Sequence, residues 1–162
     1  MKCKIIVEKE LKLVGVEIIC PFTSMEVEIP DAWKSMKIRK NEVSDRRNDD
    51  ILYGMYPQSS DSPDTNKCYY YICVEVNSVQ NIPPEMIQIT IPPQRYVSYN
   101  YRGPIKNFNS AYERVNSFIE TQGFEHNLKA FVLEIKGPAA NLLDKETADN
   151  EIELRIPILA SN

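Results

Sequence analysis

The chain has 162 residues, of which 43% are hydrophobic and 26% are charged, so it is long enough to bury the core of one globular domain. Its formal net charge of −4 excludes the strongly basic surface with which proteins follow a nucleic-acid backbone. We therefore predict a single soluble domain that does not bind nucleic acid directly.

The sequence also lacks the marks of export and of membrane insertion. Residues 1–20 alternate charged and apolar side chains, unlike a signal peptide, and no run of about 18 apolar residues occurs. Cys3, Cys20, Cys68 and Cys73 form no CxxC pair and have no histidine at metal-binding spacing. We predict a cytoplasmic protein with free thiols, no membrane contact, no metal site and no cofactor.

The first half of the chain predicts a strand, a helix and two further strands. Residues 10–20 are rich in β-branched side chains, which favour a strand. A helix is expected to begin at Pro30, because proline is common in the first turn of a helix. Strands at 51–57 and 68–76 follow, and the polar residues 59–67 between them predict a turn.

The second half predicts the same order of elements after a linker. Pro92 and Pro93 interrupt a strand-like segment, which indicates a bulge or a sheet edge. A helix with apolar side chains at helical spacing follows, and Gly123 stands where a helix C-cap belongs. The predicted elements are the strand segment 86–103, the helix 108–124, and the strands 129–137 and 151–159.

This order predicts an α+β fold built as a tandem repeat of a strand-helix-strand-strand unit. The first repeat covers about residues 1–79 and the second about residues 86–159, within one domain spanning 1–162. Each unit presents an apolar sheet face to its own helix, so the two units meet with pseudo-two-fold symmetry. We expect a ligand groove between the halves, since clefts between units commonly bind ligands.

Period-two alternation sorts the strand residues into two faces. It groups Tyr69 and Tyr71 with Glu75, and we expect the carboxylates of Glu75, Glu134 and Glu153 to point away from the helix-packed face. Such faces are often simply exposed to water in antiparallel sheets. Tyrosines are frequent on the predicted strands, however, and aromatic rings around a few acidic groups suit a flat or cationic organic ligand. These tyrosines are Tyr53, Tyr56, Tyr69, Tyr71, Tyr96, Tyr99 and Tyr101.

An ordered series of segments along nearly the whole chain resembles the GyrI-like family. These are effector-binding domains that occur fused to bacterial AraC-type and MerR-type regulators and also as stand-alone proteins. The matching segments are IPDAWKSM, ILYGMY, YYYICVEV, IPPQRYVSYNYRGP, AYERVNSFIETQGFE, FVLEIK and ELRIPI. The resemblance implies a stand-alone member, because the first strand begins almost at residue 4 and leaves no room for a helix-turn-helix domain.

The resemblance also implies a set of ligand-binding residues in an inner groove. Glu134 matches the glutamate at the bottom of the pocket in drug-sensing members, and Glu153 matches a second acidic position. The first-half counterparts are expected among Tyr53, Tyr69 and Tyr71, with Trp33 as a lid or wall residue. No catalytic residue is assigned, and Glu134 would take that role in an enzyme.

Arg155 departs from the family pattern, in which many relatives have an aromatic residue at this position. The last two strands should pair as a hairpin, so Arg155 is expected to form an ion pair with Glu153 or Glu134. A carboxylate with such a partner is a poor counter-ion for a lipophilic cation, and its pKa is held down. This departure admits neutral, zwitterionic or anionic ligands.

Three functions are therefore open. The leading one is a protein that binds hydrophobic or aromatic compounds, cationic ones included, and acts as a ligand sensor or partner-dependent transcriptional regulator. The second is a hydrolase of cyclopropanoid or other strained electrophiles, in which Glu134 is the acid or base. The third is a protein-interaction inhibitor of a topoisomerase-like target, with the charged residues 34–50 as a docking strip that includes Arg46 and Arg47.

Overall fold

The computed structural model describes residues 2–48, 50–58, 66–137 and 150–160. These residues form an α+β fold with one antiparallel sheet of eight strands and two α-helices. Most of the predicted polar turn at 59–67, and residues 138–149 before the last strand, lie outside the described residues. Neither helix in the described ranges has the length and apolar character needed to cross a membrane.

The elements follow the predicted order, with an additional short strand at the start of each half. The strands are β1 Lys4–Glu8, β2 Leu11–Pro21, β3 Leu52–Tyr56, β4 Lys67–Glu75, β5 Met86–Ile91, β6 Gln94–Gly103, β7 Val132–Lys136 and β8 Asn150–Ile158. The α-helices are α1 Met25–Arg39 and α2 Asn109–Gln122.

Helix α1 begins before the predicted start at Pro30. Pro30 lies in its second turn, where the missing N–H forgoes one intrahelical hydrogen bond. Acidic residues in the first turn, Glu26 and Glu28, favour the positive end of the helix dipole, and Trp33 and Met36 bury the helix against the sheet. These contributions outweigh the local cost of proline, so the helix extends to Met25.

Helix α2 has the predicted apolar face and the predicted end. Ala111, Val115 and Ile119 recur every four residues and are buried. Gly123 adopts a left-handed conformation with φ of 74° and caps the helix, which confirms the predicted C-cap.

The sheet order is β1-β6-β8-β7-β3-β4-β2-β5. Each half contributes three neighbouring strands to the middle, and the pairing of β3 with β7 joins the halves into one sheet. The outer strands cross over, because β1 pairs with β6 and β5 pairs with β2. Pro92 and Pro93 therefore separate two strands with different partners instead of marking a bulge within one strand.

Both helices lie on the same face of the sheet. One apolar cluster, which includes Val14 and Ile72, packs under α1, and a second, which includes Val97 and Leu154, packs under α2. A third cluster on the opposite face draws on strands of both halves. Among the described residues, no helix covers that opposite face.

Candidate functional site

A cavity of about 1000 Å³ lies on the helix-covered face of the sheet. Residues of α1 and of the strands β3 and β4 line one side, and residues of α2, β7 and β8 line the other. Ile29, Trp33 and Phe108 contribute apolar walls. The volume is at the upper end of the range for small-molecule sites, and the lining combines apolar walls with a few polar groups, as such sites usually do.

Glu134 lies at the floor of this cavity. It opposes Gly54 of β3 and Leu154 of β8, so its side chain shares the helix-covered face with theirs. Tyr70 donates a hydrogen bond to Oε1 of Glu134 and Tyr112 donates one to Oε2, both at 2.6 Å. The two tyrosines come from β4 and α2, so the two halves of the chain meet on one carboxylate.

A third tyrosine extends this network. Tyr56 donates a hydrogen bond of 2.9 Å to the hydroxyl oxygen of Tyr112. Burial raises the pKa of Tyr56 to about 12, although its hydrogen bond to Tyr112 opposes the rise. Burial, together with the charge of Glu134, also raises the pKa of Tyr70 and Tyr112 well above the usual value. At neutral pH all three are therefore neutral phenols. The hydroxyl protons of Tyr70 and Tyr112 point to the Glu134 carboxylate, and that of Tyr56 points to the hydroxyl oxygen of Tyr112.

Gly54 makes room for this arrangement. A Cβ atom at this position would overlap the hydroxyl of Tyr70 and the ring of Trp33. Since Gly54 stands directly beside Glu134 in the sheet, the missing side chain is what lets the Tyr70 hydroxyl reach the carboxylate. The contacts of Tyr70 and Trp33 in the site therefore require glycine at position 54, whereas the β-strand itself does not.

Lys136 adds a buried positive charge to the same floor. It is two residues from Glu134 on β7, shares its face, and is only 8% exposed. Its ammonium lies 3.8 Å from the centre of the Trp33 ring, a cation–π contact. Burial lowers the pKa of Lys136 to about 8, against the opposing effect of Glu134, and Lys37 lowers it further.

This floor offers two kinds of chemistry. The carboxylate of Glu134 keeps free lone pairs beyond the two phenol hydrogen bonds and can accept a further donor from a ligand. A half-buried carboxylate next to two neutral phenols can also exchange protons with a bound molecule.

The structure brings some of the predicted site residues to the cavity. Glu134 and Trp33 line it, and Tyr69 borders it. Alternation along β4 directs the Tyr69 side chain to the other face, together with Tyr71, which packs edge-on against Phe131.

Tyr53 also lies on the opposite face. It is 8% exposed and belongs to the apolar cluster there. Burial raises its pKa to about 12.

The predicted facing of Glu134 was wrong. We expected it to point away from the helix-packed face, but Val132, on the same side of β7, packs under α2. The physical reason is that β7 is apolar on both faces: Leu133 and Ile135 belong to the cluster on the opposite side. Alternation alone could not tell which of the two apolar sides carries a helix.

Glu153 and Arg155 form a separate cluster on the opposite face. Arg155 donates hydrogen bonds to Glu153 at 2.6 Å and to Glu8 at 2.8 Å, and Ser98 donates one to Glu153 at 2.7 Å. Because Arg155 opposes Leu133 in the sheet, it lies on the face away from Glu134. Of the two expected partners, the structure pairs Arg155 with Glu153.

The electrostatics of this cluster differ from those of the cavity floor. Burial alone would raise the pKa of Glu153, but the hydrogen bond and charge of Arg155 have the larger combined effect and hold it below its usual value. Burial would likewise lower the pKa of Arg155, and its carboxylate partners raise it. The charges here neutralise one another within the protein.

Four residues of the floor were not predicted as site residues, although two of them carried a signal. Lys136 shares the strand face of Glu134, and Tyr56 belongs to the tyrosine-rich strands. The alternation that groups Tyr69 with Tyr71 places Tyr70 on the other side of β4, which is the face of the cavity. Tyr112 occupies an apolar position of α2, and nothing in the helix pattern marks its hydroxyl.

The proposed docking strip at 34–50 is partly engaged within the protein. Arg46 donates hydrogen bonds to the carbonyl oxygens of Lys40 and Val43, and Arg47 forms an ion pair of 3.6 Å with Glu75. The role of Arg46 in the fold is thus to close the turn after α1.

Comparison with known proteins identifies a family and a common fold. The model of the GyrI-like small molecule binding domain matches residues 1–159. No curated protein compared with the chain is similar enough in sequence to count as a relative.

Three solved structures share the fold. SAV2435 bound to tetraphenylphosphonium is 18% identical, with a TM-score of 0.71, and the match covers 99% of this chain and 95% of that one. The EcmrR–DNA complex gives 15% identity and a TM-score of 0.68 over 99% of this chain and 58% of EcmrR. A hydrolase from Listeria innocua gives 13% identity and a TM-score of 0.61 over 98% and 92%.

Proposed function

The chain belongs to the GyrI-like small molecule binding domain family, and we propose that it binds hydrophobic, mainly aromatic compounds in the cavity between α1 and α2. In this proposal Glu134 forms the base of the ligand site and Trp33 one of its walls. Ligand binding serves as a signal, and the protein acts as a sensor that regulates transcription through a protein partner.

One observation carries the proposal. A carboxylate whose two oxygens accept hydrogen bonds from Tyr70 and Tyr112 lies at the floor of a large, mainly apolar cavity. Two structural neighbours support it: SAV2435 binds tetraphenylphosphonium, and EcmrR, a longer chain, binds DNA. The docking strip 34–50 remains a proposed contact for the partner.

The test is titration with phenylnaphthylamine, an uncharged aromatic probe that carries one N–H donor and fluoresces in apolar surroundings. Wild-type protein is expected to enhance its emission and to bind it saturably. Glu134→Gln should weaken binding about tenfold, because a donor loses its charged acceptor. Ile29→Trp, which places a larger side chain in the cavity wall, should weaken binding by narrowing the site.

The matched control is Glu153→Gln. It removes the same charge from the neighbouring strand on the opposite face and should leave probe affinity unchanged. Absence of saturable binding to the wild type, or equal weakening by both glutamine variants, would contradict the proposal.

Hydrolysis is a second candidate function. The half-buried Glu134 with its phenol donors is suited to proton transfer, and a structural neighbour is a hydrolase from Listeria innocua. In this case the protein would turn over a strained cyclopropane. The hydrolytic activity should be lost in Glu134→Gln and retained in Glu153→Gln. If the wild type does not turn over such compounds, the hydrolase function is rejected and the ligand-binding function is kept.

A further inference from the structure

The charges at the cavity floor are compensated unequally. Both oxygens of Glu134 already accept hydrogen bonds from tyrosines fixed by the fold. Lys136 is more deeply buried than Glu134, and among the described residues its ammonium contacts the face of the Trp33 ring and is stabilised by the charge of Glu134 without a hydrogen bond to it. A ring face replaces little of the hydration that a buried ammonium loses, so this cation gains more from a new partner than the carboxylate does.

Charged side chains of both signs line the cavity. Among the described residues that line it, three are lysines and two are glutamates. A lipophilic cation at the floor would be repelled by the buried ammonium of Lys136, while the Glu134 carboxylate that would attract it already accepts hydrogen bonds from Tyr70 and Tyr112. An anion of the same size would meet an attractive charge at the same place.

From these contacts we propose that Lys136 makes the cavity select aromatic ligands that carry an anionic group over cations of the same shape. The inference rests on the proposed function, because it assigns the ligand class of the same cavity. Lys136 is the specificity-determining residue: its ammonium pairs with the anionic group while the apolar walls hold the rings. Glu134, held by Tyr70 and Tyr112, remains an acceptor for a donor group elsewhere on the same ligand.

Two nearly isosteric ions of opposite charge provide the test. Tetraphenylborate and tetraphenylphosphonium have the same four phenyl rings, so a difference in their affinities reports charge and not shape. Calorimetric titration of the wild type at pH 7 should show tetraphenylborate binding at least about tenfold more tightly. Quenching of Trp33, the single tryptophan of the chain, provides a second readout at the cavity wall.

Variants of Lys136 identify the origin of the preference. Lys136→Met keeps the length and apolar character of the side chain and should reverse the order of the two affinities. Lys136→Arg restores the charge and should restore the preference for the anion. Lys34→Met, which removes an exposed charge from α1 away from the cavity, should leave it unchanged.

The outcomes separate this inference from the proposed function. If phenylnaphthylamine binds but the wild type prefers the cation, or if Lys136→Met leaves the order unchanged, the anion selectivity is overturned and the binding function stands. If none of the three compounds binds, the proposed function itself fails. Circular dichroism and thermal unfolding of each variant show whether a loss of affinity comes from loss of fold.

Discussion

Glu134 and Glu153 lie on neighbouring strands of one sheet, yet they have opposite surroundings. Glu153 opposes Ile135, the residue next to Glu134, so one step of alternation places the two carboxylates on different faces. Glu153 accepts hydrogen bonds from Arg155 and Ser98, and Arg155 also pairs with Glu8, on the face away from the cavity. Glu134 meets neutral phenols beneath an open volume.

The difference shows how a fold separates structural charges from charges available to a ligand. An ion pair satisfies both partners inside the protein and leaves little electrostatic free energy for binding. Neutral donors hold a carboxylate in place without cancelling its charge. The cluster around Arg155 therefore serves the stability of the fold, and the floor around Glu134 is suited to recognition.

The largest expected effect tests the structural side of this comparison. Arg155→Met should lower the free energy of unfolding by about 3 kcal/mol, because it leaves Glu153 and Glu8 half-buried without their counter-charge. Probe affinity should not change. Denaturant unfolding measures the first quantity and phenylnaphthylamine titration the second.

Arg102→Met is the matched control, since its ion pair with Glu151 is exposed and 3.7 Å long. Its effect should stay below about 0.5 kcal/mol. A large loss of probe affinity in Arg155→Met would place the two clusters in one functional unit and contradict the comparison.

The next effect concerns the cavity side. Gly54→Ala should destabilise the protein by about 2 kcal/mol and weaken probe binding, because the new methyl group displaces Tyr70 and Trp33 from the floor. Gly137→Ala, where a Cβ meets no atom of the described residues within 4 Å, is the control for the substitution itself. Urea unfolding measures the stability of both variants, and titration measures their affinity for the probe. Equal stability and equal affinity in the two variants would contradict the role of Gly54 at the floor.

A smaller effect should appear in the pH dependence of stability. The pKa of Lys136 is about 8 in the folded protein and about 10.5 when unfolded, so the folded state releases its proton first as pH rises. Deprotonation of Lys136 therefore increases the free energy of unfolding as the pH rises between these two pKa values, by about 1 to 2 kcal/mol from pH 7 to 9.5. Glu134 on the same strand and Lys37 on α1 act on this pKa, and the opposing residues Leu52 and Ile152 are apolar.

The difference between wild type and Lys136→Met isolates this contribution. Burial raises the pKa of Cys68 and Cys73, which opposes the trend at high pH in both proteins and cancels in the comparison. Denaturant unfolding at several pH values supplies the two curves. If the stability curves of the wild type and Lys136→Met run parallel against pH, the pKa of Lys136 is the same in the folded and unfolded protein and the prediction is wrong.

The smallest expected effect is that of Tyr56→Phe. It removes the donor to Tyr112 and should cost about 1 kcal/mol of stability, while the bond from Tyr112 to Glu134 remains. Probe affinity should fall only a few-fold. Tyr53→Phe, on the opposite face, should leave affinity unchanged; a reversed order in the titrations would contradict the assigned faces.

Much of the fold could be predicted because it follows from local patterns. The order of elements and the cap at Gly123 depend on residues close in sequence. The start of α1 was missed because Pro30 is a strong local signal that burial of Trp33 and Met36 overrides.

The site was harder to predict because it depends on contacts between distant residues. Glu134 follows from the family resemblance, but its face depends on which side of β7 receives a helix. Tyr112 reaches it from a helix position that alternation and hydrophobic spacing mark only as apolar. The role of Lys136 became visible only when its position over Trp33 was known.

The pairing of β3 with β7 joins the two halves at the middle of the sheet, between the outer pairs β1–β6 and β2–β5. Glu134 lies on this ladder, and its two oxygens bind Tyr70 from one half and Tyr112 from the other. A ligand bound at this floor would contact both halves of the chain, and its binding free energy would add to the stability of the folded protein. Ligand binding at this floor would therefore oppose the separation of β3 from β7 at the middle of the sheet.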